Sequence, residues 1–184
     1  MQVKEVIKKS ANILELSDVV DYLNSVKESL EDTKELDDLI VATNMAINNI
    51  SANYISVCER KKISSNDGIV YFSDLTYKPV IQVKKVLKDG KPIRFRVHND
   101  CIELGEGQYE IVYSYFPDIV TMSDDIDYFP QLSELIFSYS VVAEYLFLKG
   151  QIDDAYMWDK RFKSCLLSIK RPCRNIMLPK RRWW

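Results

Sequence analysis

Apolar and polar positions change their period twice along the chain. Up to about residue 57, apolar residues recur at three- and four-residue steps, which predicts amphipathic helices. Between residues 69 and 116 they form short runs, several of them alternating with polar residues and bounded by Gly, Asn and Asp, which predicts strands. From residue 132 the helical period returns. The order helix, strand, helix therefore organises the whole sequence.

The first helical segment is predicted in two parts. Residues 3–24 are compatible with one or two short helices, with an N-cap at Ser17. A long helix of about six to seven turns follows, beginning at a capping box of Asp32 and Glu35. Its apolar stripe contains Leu36, Leu39, Ile40, Thr43, Ile47, Ile50, Tyr54 and Val57. Residues 59–68 are polar and rich in turn formers, so we predict that they end this helix as a loop.

Five or six short antiparallel strands are predicted next, enough for a small sheet or a flattened barrel. Asp89-Gly90 is typical of a tight hairpin turn. After this turn, three apolar residues alternate with three basic ones, which predicts a strand with one apolar and one basic face. The apolar residues are Ile93, Phe95 and Val97, and the basic ones are Arg94, Arg96 and His98.

Two further helices are predicted after Pro117, the first ending at Gly150 and the second before Pro172. Neither helical set can bury its apolar stripe alone, so the N-terminal and C-terminal helices are expected to pack together. The predicted fold class is α+β: a helical bundle interrupted by a small antiparallel β insertion, with an extended C-terminal tail. The predicted parts are residues 1–62, 63–120, 121–170 and 171–184.

Charge is segregated along the chain. Residues 160–184 carry nine Lys or Arg and no Asp or Glu, while the first 159 residues are close to −11. Two indoles stand beside this basic cluster, and each presents roughly 150–250 Å² of surface that favours burial. We expect the tail to bind a partner through Arg174, Lys180, Arg181, Arg182, Trp183 and Trp184. An acidic protein surface, nucleic-acid phosphates and the chain's own helices are all possible docking sites.

Other features narrow the class of protein. No apolar run approaches the roughly 18–20 residues of a membrane span, and the first residues do not resemble a signal peptide, so we expect a soluble protein made inside the cell. The four cysteines are scattered, which favours free thiols in a reducing compartment.

Candidate chemistry is sparse. His98 is the single histidine, and it is expected to be a solvated surface residue rather than a catalytic one. The acidic segment 124–127 could hold a divalent cation, although helix capping and charge balance are the better interpretation. Tyr109, Tyr113 and Tyr115 could stack on bases, but their period of two fits sheet packing better. We therefore predict no catalytic residue, no metal and no cofactor.

The order of parts resembles the head-to-tail connector proteins of tailed bacteriophages, the adaptor or gatekeeper rings below the portal. The resemblance covers about residues 35–184. It is carried by Ala52-Asn53-Tyr54-Ile55, Val83-Lys84-Lys85-Val86, the strand from Gly107 to Pro117, the acidic linker 123–127, Val142-Ala143-Glu144-Tyr145, Lys149-Gly150, the segment from Ala155 to Phe162, and the ending Arg181-Arg182-Trp183.

This resemblance implies a structural virion protein of the head-tail neck, without enzymatic activity, made in the host cytoplasm. It implies a homo-oligomeric ring, usually of twelve copies, that binds the portal protein on one side and tail or further neck proteins on the other. Genomic DNA would pass through the channel without sequence-specific binding, and no membrane would be involved. The tail would reach the portal or an adjacent subunit, and the insertion would make contacts through Arg94, Arg96 and His98. The alternative is a nucleic-acid-binding module that uses the tail and the Arg94/Arg96 face.

Overall fold

A computed structural model of the chain describes residues 1–26 and 33–169. Within these ranges the protein has a mixed α/β fold with six helices and two small antiparallel sheets. The predicted extended tail, residues 171–184, and the predicted cap at Asp32 lie outside the described residues. None of the described helices combines the length and the apolarity that a membrane span requires.

The described helices are α1 (Val3–Ile13), α2 (Ser17–Leu23), α3 (Lys34–Asn53), α4 (Phe72–Leu75), α5 (Glu134–Leu148) and α6 (Ile152–Ile169). All except α4, whose Leu75 belongs to the β insertion, form around one apolar core. Helix α5 lies at the centre and packs against α1, α3 and α6. Residues 137–143 are buried without interruption, as expected for a helix surrounded on all sides. The predicted packing of N-terminal against C-terminal helices is confirmed by this shared core.

Helix boundaries correct two predictions. Helix α3 ends at Asn53 after 20 residues, about five and a half turns, so Tyr54 and Val57 lie beyond it. Helix α2 begins at Ser17 itself, and its N-cap position is Leu16, without a side-chain cap. The predicted cap at Ser17 is therefore wrong by one residue. The reason is the tight link after α1, which leaves no extended residue between the two helices.

The middle of the chain contains seven strands in two sheets. They are β1 (Cys58–Ser65), β2 (Ile69–Tyr71), β3 (Val80–Lys88), β4 (Lys91–Pro92), β5 (Arg96–Val97), β6 (Cys101–Glu103) and β7 (Gly107–Tyr115). One sheet has the order β1-β7-β3-β4 and the other β2-β6-β5. Both are antiparallel, as predicted. The turn at Asp89-Gly90 is confirmed, with positive φ at both residues.

The predicted loop at residues 59–68 is wrong over most of its length. Strand β1 pairs in continuous register with β7, from Cys58 opposite Ser114 to Ser65 opposite Gly107. Its side chains are mostly exposed, so the strand carries almost no apolar signal and depends on its partner. The β insertion therefore begins at Cys58 rather than at the predicted boundary of 63.

The predicted continuous strand through residues 93–98 is also wrong. Strand β4 belongs to the four-stranded sheet and β5 to the three-stranded one, so the chain changes sheets between them. Ile93 and Phe95 pack against the core of the insertion during this crossing. Val97, by contrast, is 52% exposed. The predicted apolar face is therefore present at Ile93 and Phe95 and absent at Val97.

The insertion has a hydrophobic core of its own. Its buried members are Val70, Leu75, Val83, Val86, Ile102, Tyr109, Ile111 and Tyr113. The buried tyrosines confirm that the period-two pattern serves sheet packing. A second, separate core means that the insertion holds its shape through its own contacts.

Two sets of hydrogen bonds join the segment after β7 to the helices. The side chain of Asn44 in α3 donates to Val120 O at 3.0 Å and accepts from Val120 N at 2.8 Å. Further along, Val3 N donates to Asp124 O at 3.1 Å, and Ile126 N donates to Met1 O at 2.7 Å. The segment that leads from the insertion back to the helices is therefore hydrogen-bonded to both α3 and the start of α1.

Candidate interaction surfaces

The acidic segment 124–127 has a structural role in a turn. The Asp124 carboxylate accepts a hydrogen bond from Thr121 N at 2.7 Å and another from Thr121 Oγ1 at 2.8 Å. These bonds lower the pKa of Asp124, because they favour the ionised form. The predicted helix-capping role is wrong, because the carboxylate closes a turn and the N-cap of α5 is Ser133.

The predicted contact face of the insertion is less basic than its sequence indicates. Arg96 lies opposite Glu103 in the β5–β6 pair, with Arg96 Nη1 at 3.9 Å from Glu103 Oε2. His98 Nε2 lies at 3.5 Å from the same carboxylate oxygen. Arg94 is exposed and, among the described residues, has no ion-pair partner. The structure therefore brings Arg96 and His98 together around one carboxylate and leaves Arg94 as the free cation of this face.

A second basic face lies on the four-stranded sheet and was missed by the sequence analysis. The register places Arg60 of β1 and Lys85 of β3 on either side of Val112, with Lys62 one step away beside Glu110. These cations are exposed, and Arg60 Nη1 lies 3.3 Å from Glu110 Oε1. The sequence gives no sign of this face, because Ile63 is the single apolar residue in 60–65 and the pairing of β1 with β7 and of β7 with β3 is what brings the cations together.

The opposite side of β1 faces the core of the insertion. The Tyr113 hydroxyl lies 3.1 Å from Glu59 Oε2 and 3.2 Å from Leu75 O, and Lys61 Nζ donates to Leu75 O at 2.8 Å. Burial, helped by the Glu59 carboxylate, raises the pKa of Tyr113 to about 12. This tyrosine stays protonated at neutral pH, and its hydroxyl joins β7 to α4 through the bond to Leu75 O.

Helix α6 presents apolar side chains to solvent. Ile152, Tyr156 and Leu167 are 51%, 61% and 67% exposed and share one flank of the helix, about 80–140° around its axis from the buried Phe162. Trp158 is half-buried, and its ring lies 5.4 Å from that of Tyr139. The exposed flank of α6 directly precedes the basic and aromatic residues of the predicted tail.

Charge is divided between the structural parts. Residues 1–57 and 121–169, the ranges that contain the helical part, carry a net charge of −9, whereas residues 58–120 carry +1 and residues 170–184 carry +6. The predicted acidic body is therefore the helical part and not the insertion. Two strongly and oppositely charged regions are thus available for contacts.

The predicted tail residues Arg174, Lys180, Arg181, Arg182, Trp183 and Trp184 lie outside the described residues. Among the residues that the structure describes, Cys58, Cys101 and Cys165 are free thiols, and no cluster of three or more metal-binding side chains is present. No protein-family model matches the chain, and no curated protein matches it in sequence.

Proposed function

We propose that this chain is a structural virion protein that forms a ring in the neck of a tailed phage. The ring would join the portal to the tail and surround the DNA channel. In this proposal the helices form a bundle that makes the wall of the ring, and the β insertion projects from it. The observation that carries the proposal is the separation of a helical part at −9 from a basic, aromatic segment, residues 170–184, at +6.

Ring assembly needs two different patches on every copy, because a head-to-tail contact that closes on itself is heterologous. An acidic surface and a basic segment supply such a pair. Arg and Trp are also the residues most enriched at the energetic centres of interfaces. The segment 180–184 contains both types and would anchor on the portal or on an adjacent subunit.

The separate core of the insertion supports a second contact in the same assembly. A unit that holds its own shape meets a partner without first ordering itself, which lowers the entropic cost of binding. Arg94 is the free cation of its predicted face, and it would meet tail proteins, further neck proteins or a neighbouring copy.

Deletion of residues 175–184 tests the proposal. The truncated protein should keep the fold of residues 1–26 and 33–169, because the deletion removes none of the residues that form the two described cores, and it should no longer join portal-bearing heads. Replacement of Lys84 and Lys91 by Gln is the control, since it removes exposed cations elsewhere. Normal joining of heads and tails by the truncated protein would contradict the proposal.

A nucleic-acid-binding module is the second candidate, and the exposed face with Arg60, Lys62 and Lys85 is the observation that favours it. Binding through phosphates is salt-dependent, with a slope of about −0.9 per phosphate neutralised. Tight binding of random duplex by the isolated monomer, weakened by Arg60→Gln with Lys62→Gln, would favour this candidate. Weak binding that these changes do not alter would favour the ring.

A further inference from the structure

A small groove lies between α1 and α2, on the acidic helical part. Its floor is apolar, formed by Ala11, Leu16 and Val20, and its rim carries the carboxylates of Glu15 and Asp21. The cavity measures about 280 Å³. Ligand pockets start at roughly 300 Å³, so this groove admits a side chain or two rather than a larger ligand.

The groove exists because the chain reverses sharply after α1. Leu16 N donates to Ala11 O at 3.0 Å and Glu15 N donates to Asn12 O at 3.3 Å, the two bonds of a Schellman motif. The motif requires a left-handed residue, and that residue is Glu15, with φ of 58°. Glycine is the usual residue at such a position, so Glu15 carries a conformational strain that glycine would not, and its carboxylate lies at the rim of the groove.

Both rim carboxylates are available for binding. Within residues 1–26 and 33–169, neither Glu15 nor Asp21 takes part in an ion pair or a side-chain hydrogen bond. Glu15 is exposed and Asp21 is half-buried at the edge of the apolar floor. A ligand with a cation beside a flat apolar group would pair with the carboxylates of the rim and also cover the apolar floor.

We propose that this groove binds residues 180–184 of a second copy of this chain. That segment places Lys180, Arg181 and Arg182 directly before two indoles, so its charges match the rim and an indole matches the floor. Arginine forms two parallel hydrogen bonds to a carboxylate, which makes it the preferred partner of Glu15 or Asp21. The inference rests on the proposed ring, in which the basic segment of one copy meets its neighbour.

Carbodiimide cross-linking of full-length protein tests the contact directly, because it joins carboxylates to lysine amines without a spacer. Lys180 is the single lysine among residues 171–184. An equal mixture of ¹⁴N- and ¹⁵N-labelled protein should give Lys180–Glu15 or Lys180–Asp21 peptides with one light and one heavy half. If no such peptide joined a light to a heavy half, the segment would fold back onto its own copy, and the absence of both cross-links would exclude the groove. Both results overturn the inference.

Neutral variants measure the contribution of the rim. Glu15→Gln with Asp21→Asn should weaken self-association about tenfold or more in sedimentation experiments, since two charged partners are lost. The control is Asp89→Asn with Glu106→Gln, which removes the same charge from the insertion and should change the association constant by less than about twofold. Equal effects of both pairs would mean that total charge, and not the groove, drives association.

Glu15→Gly separates this role from a purely structural one. Glycine relieves the left-handed strain, so the Tm should stay the same or rise by up to about 4 °C. Self-association should weaken nonetheless. A variant that is less stable and associates normally would overturn the inference. Rings that assemble without these cross-links would reject the groove alone, whereas a chain that neither self-associates nor joins the portal would reject the proposed function.

Discussion

Asn44 provides the sharpest test of how the insertion is held against the helices. Its amide bonds both the N–H and the C=O of Val120, at 2.8 and 3.0 Å, and Val120 is only 5% exposed. Asn44→Ala removes both bonds and leaves two backbone groups without these partners. No side chain from the insertion lies in this contact, so the substitution affects the junction without altering either hydrophobic core.

The size of the effect follows from these contacts. An unsatisfied buried backbone group costs about 1–3 kcal/mol, and two of them would cost about 2–4 kcal/mol after partial relaxation. Alanine has a higher helix propensity than asparagine, which offsets up to about 0.7 kcal/mol of this cost. We therefore expect a loss of about 2–3 kcal/mol in the free energy of unfolding, or roughly 4–12 °C in Tm for a chain of this size.

Urea unfolding measures the loss, and amide hydrogen exchange locates it. The exchange of Val120 N–H should accelerate, while amides in the centre of α5 keep their protection relative to global stability. Asn48→Ala is the matched control, because Asn48 lies one turn further along α3 and is exposed. A loss below about 0.5 kcal/mol for Asn44→Ala relative to Asn48→Ala would refute the reasoning.

Three other predictions concern the two cores and a turn. Phe137→Ala should cost about 3–5 kcal/mol in denaturant unfolding, because Phe137 is fully buried and stacks on Phe129; a cost below about 1.5 kcal/mol would mean that the helical core is loosely packed there. Gly68→Ala should cost at least about 1–2 kcal/mol, since Gly68 has φ of 81° and an added Cβ would lie 3.2 Å from Gly105 Cα; an unchanged Tm would contradict this. The pKa of Tyr113, about 12, is raised above its usual 10, so the folded state retains a proton that the unfolded state releases. Stability should therefore fall as pH rises from about 10 to 12, and Tyr113→Phe should reduce this fall, whereas an unchanged pH dependence would be inconsistent with a buried, protonated Tyr113.

The elements that the sequence predicted well are helices with many buried apolar residues. Helix α5 is buried between α1, α3 and α6, whereas α6 buries one stripe with Ala155, Phe162 and Leu166. Gly150 adopts positive φ at the predicted stop. Strand β1 escaped prediction because its pairing with β7 buries backbone rather than side chains. The alternation of residues 93–97 wrongly predicted one strand, because the chain passes here from the four-stranded sheet, which contains β4, to the three-stranded sheet, which contains β5.

Contacts between distant residues explain the remaining differences. The basic face was predicted from Arg94, Arg96 and His98 alone, and its partial neutralisation depends on Glu103 in the next strand. Asn99-Asp100 is a pair typical of turns, and a turn there would place Arg96 close to Glu103, so this pairing could have been predicted from the sequence. No local pattern distinguishes Asn44 from other polar residues on α3, and none reveals that Glu15 is left-handed. These two features arise only from the folded chain.

The mass of the assembled protein tests the central claim most directly. Full-length protein would be measured by mass photometry alone and with the portal protein encoded in the same genome. The proposed ring predicts a closed assembly of one uniform copy number, formed alone or on the portal and lost on deletion of residues 175–184. A protein that stays monomeric in both conditions, or whose assembly is unaffected by that deletion, would contradict the proposal.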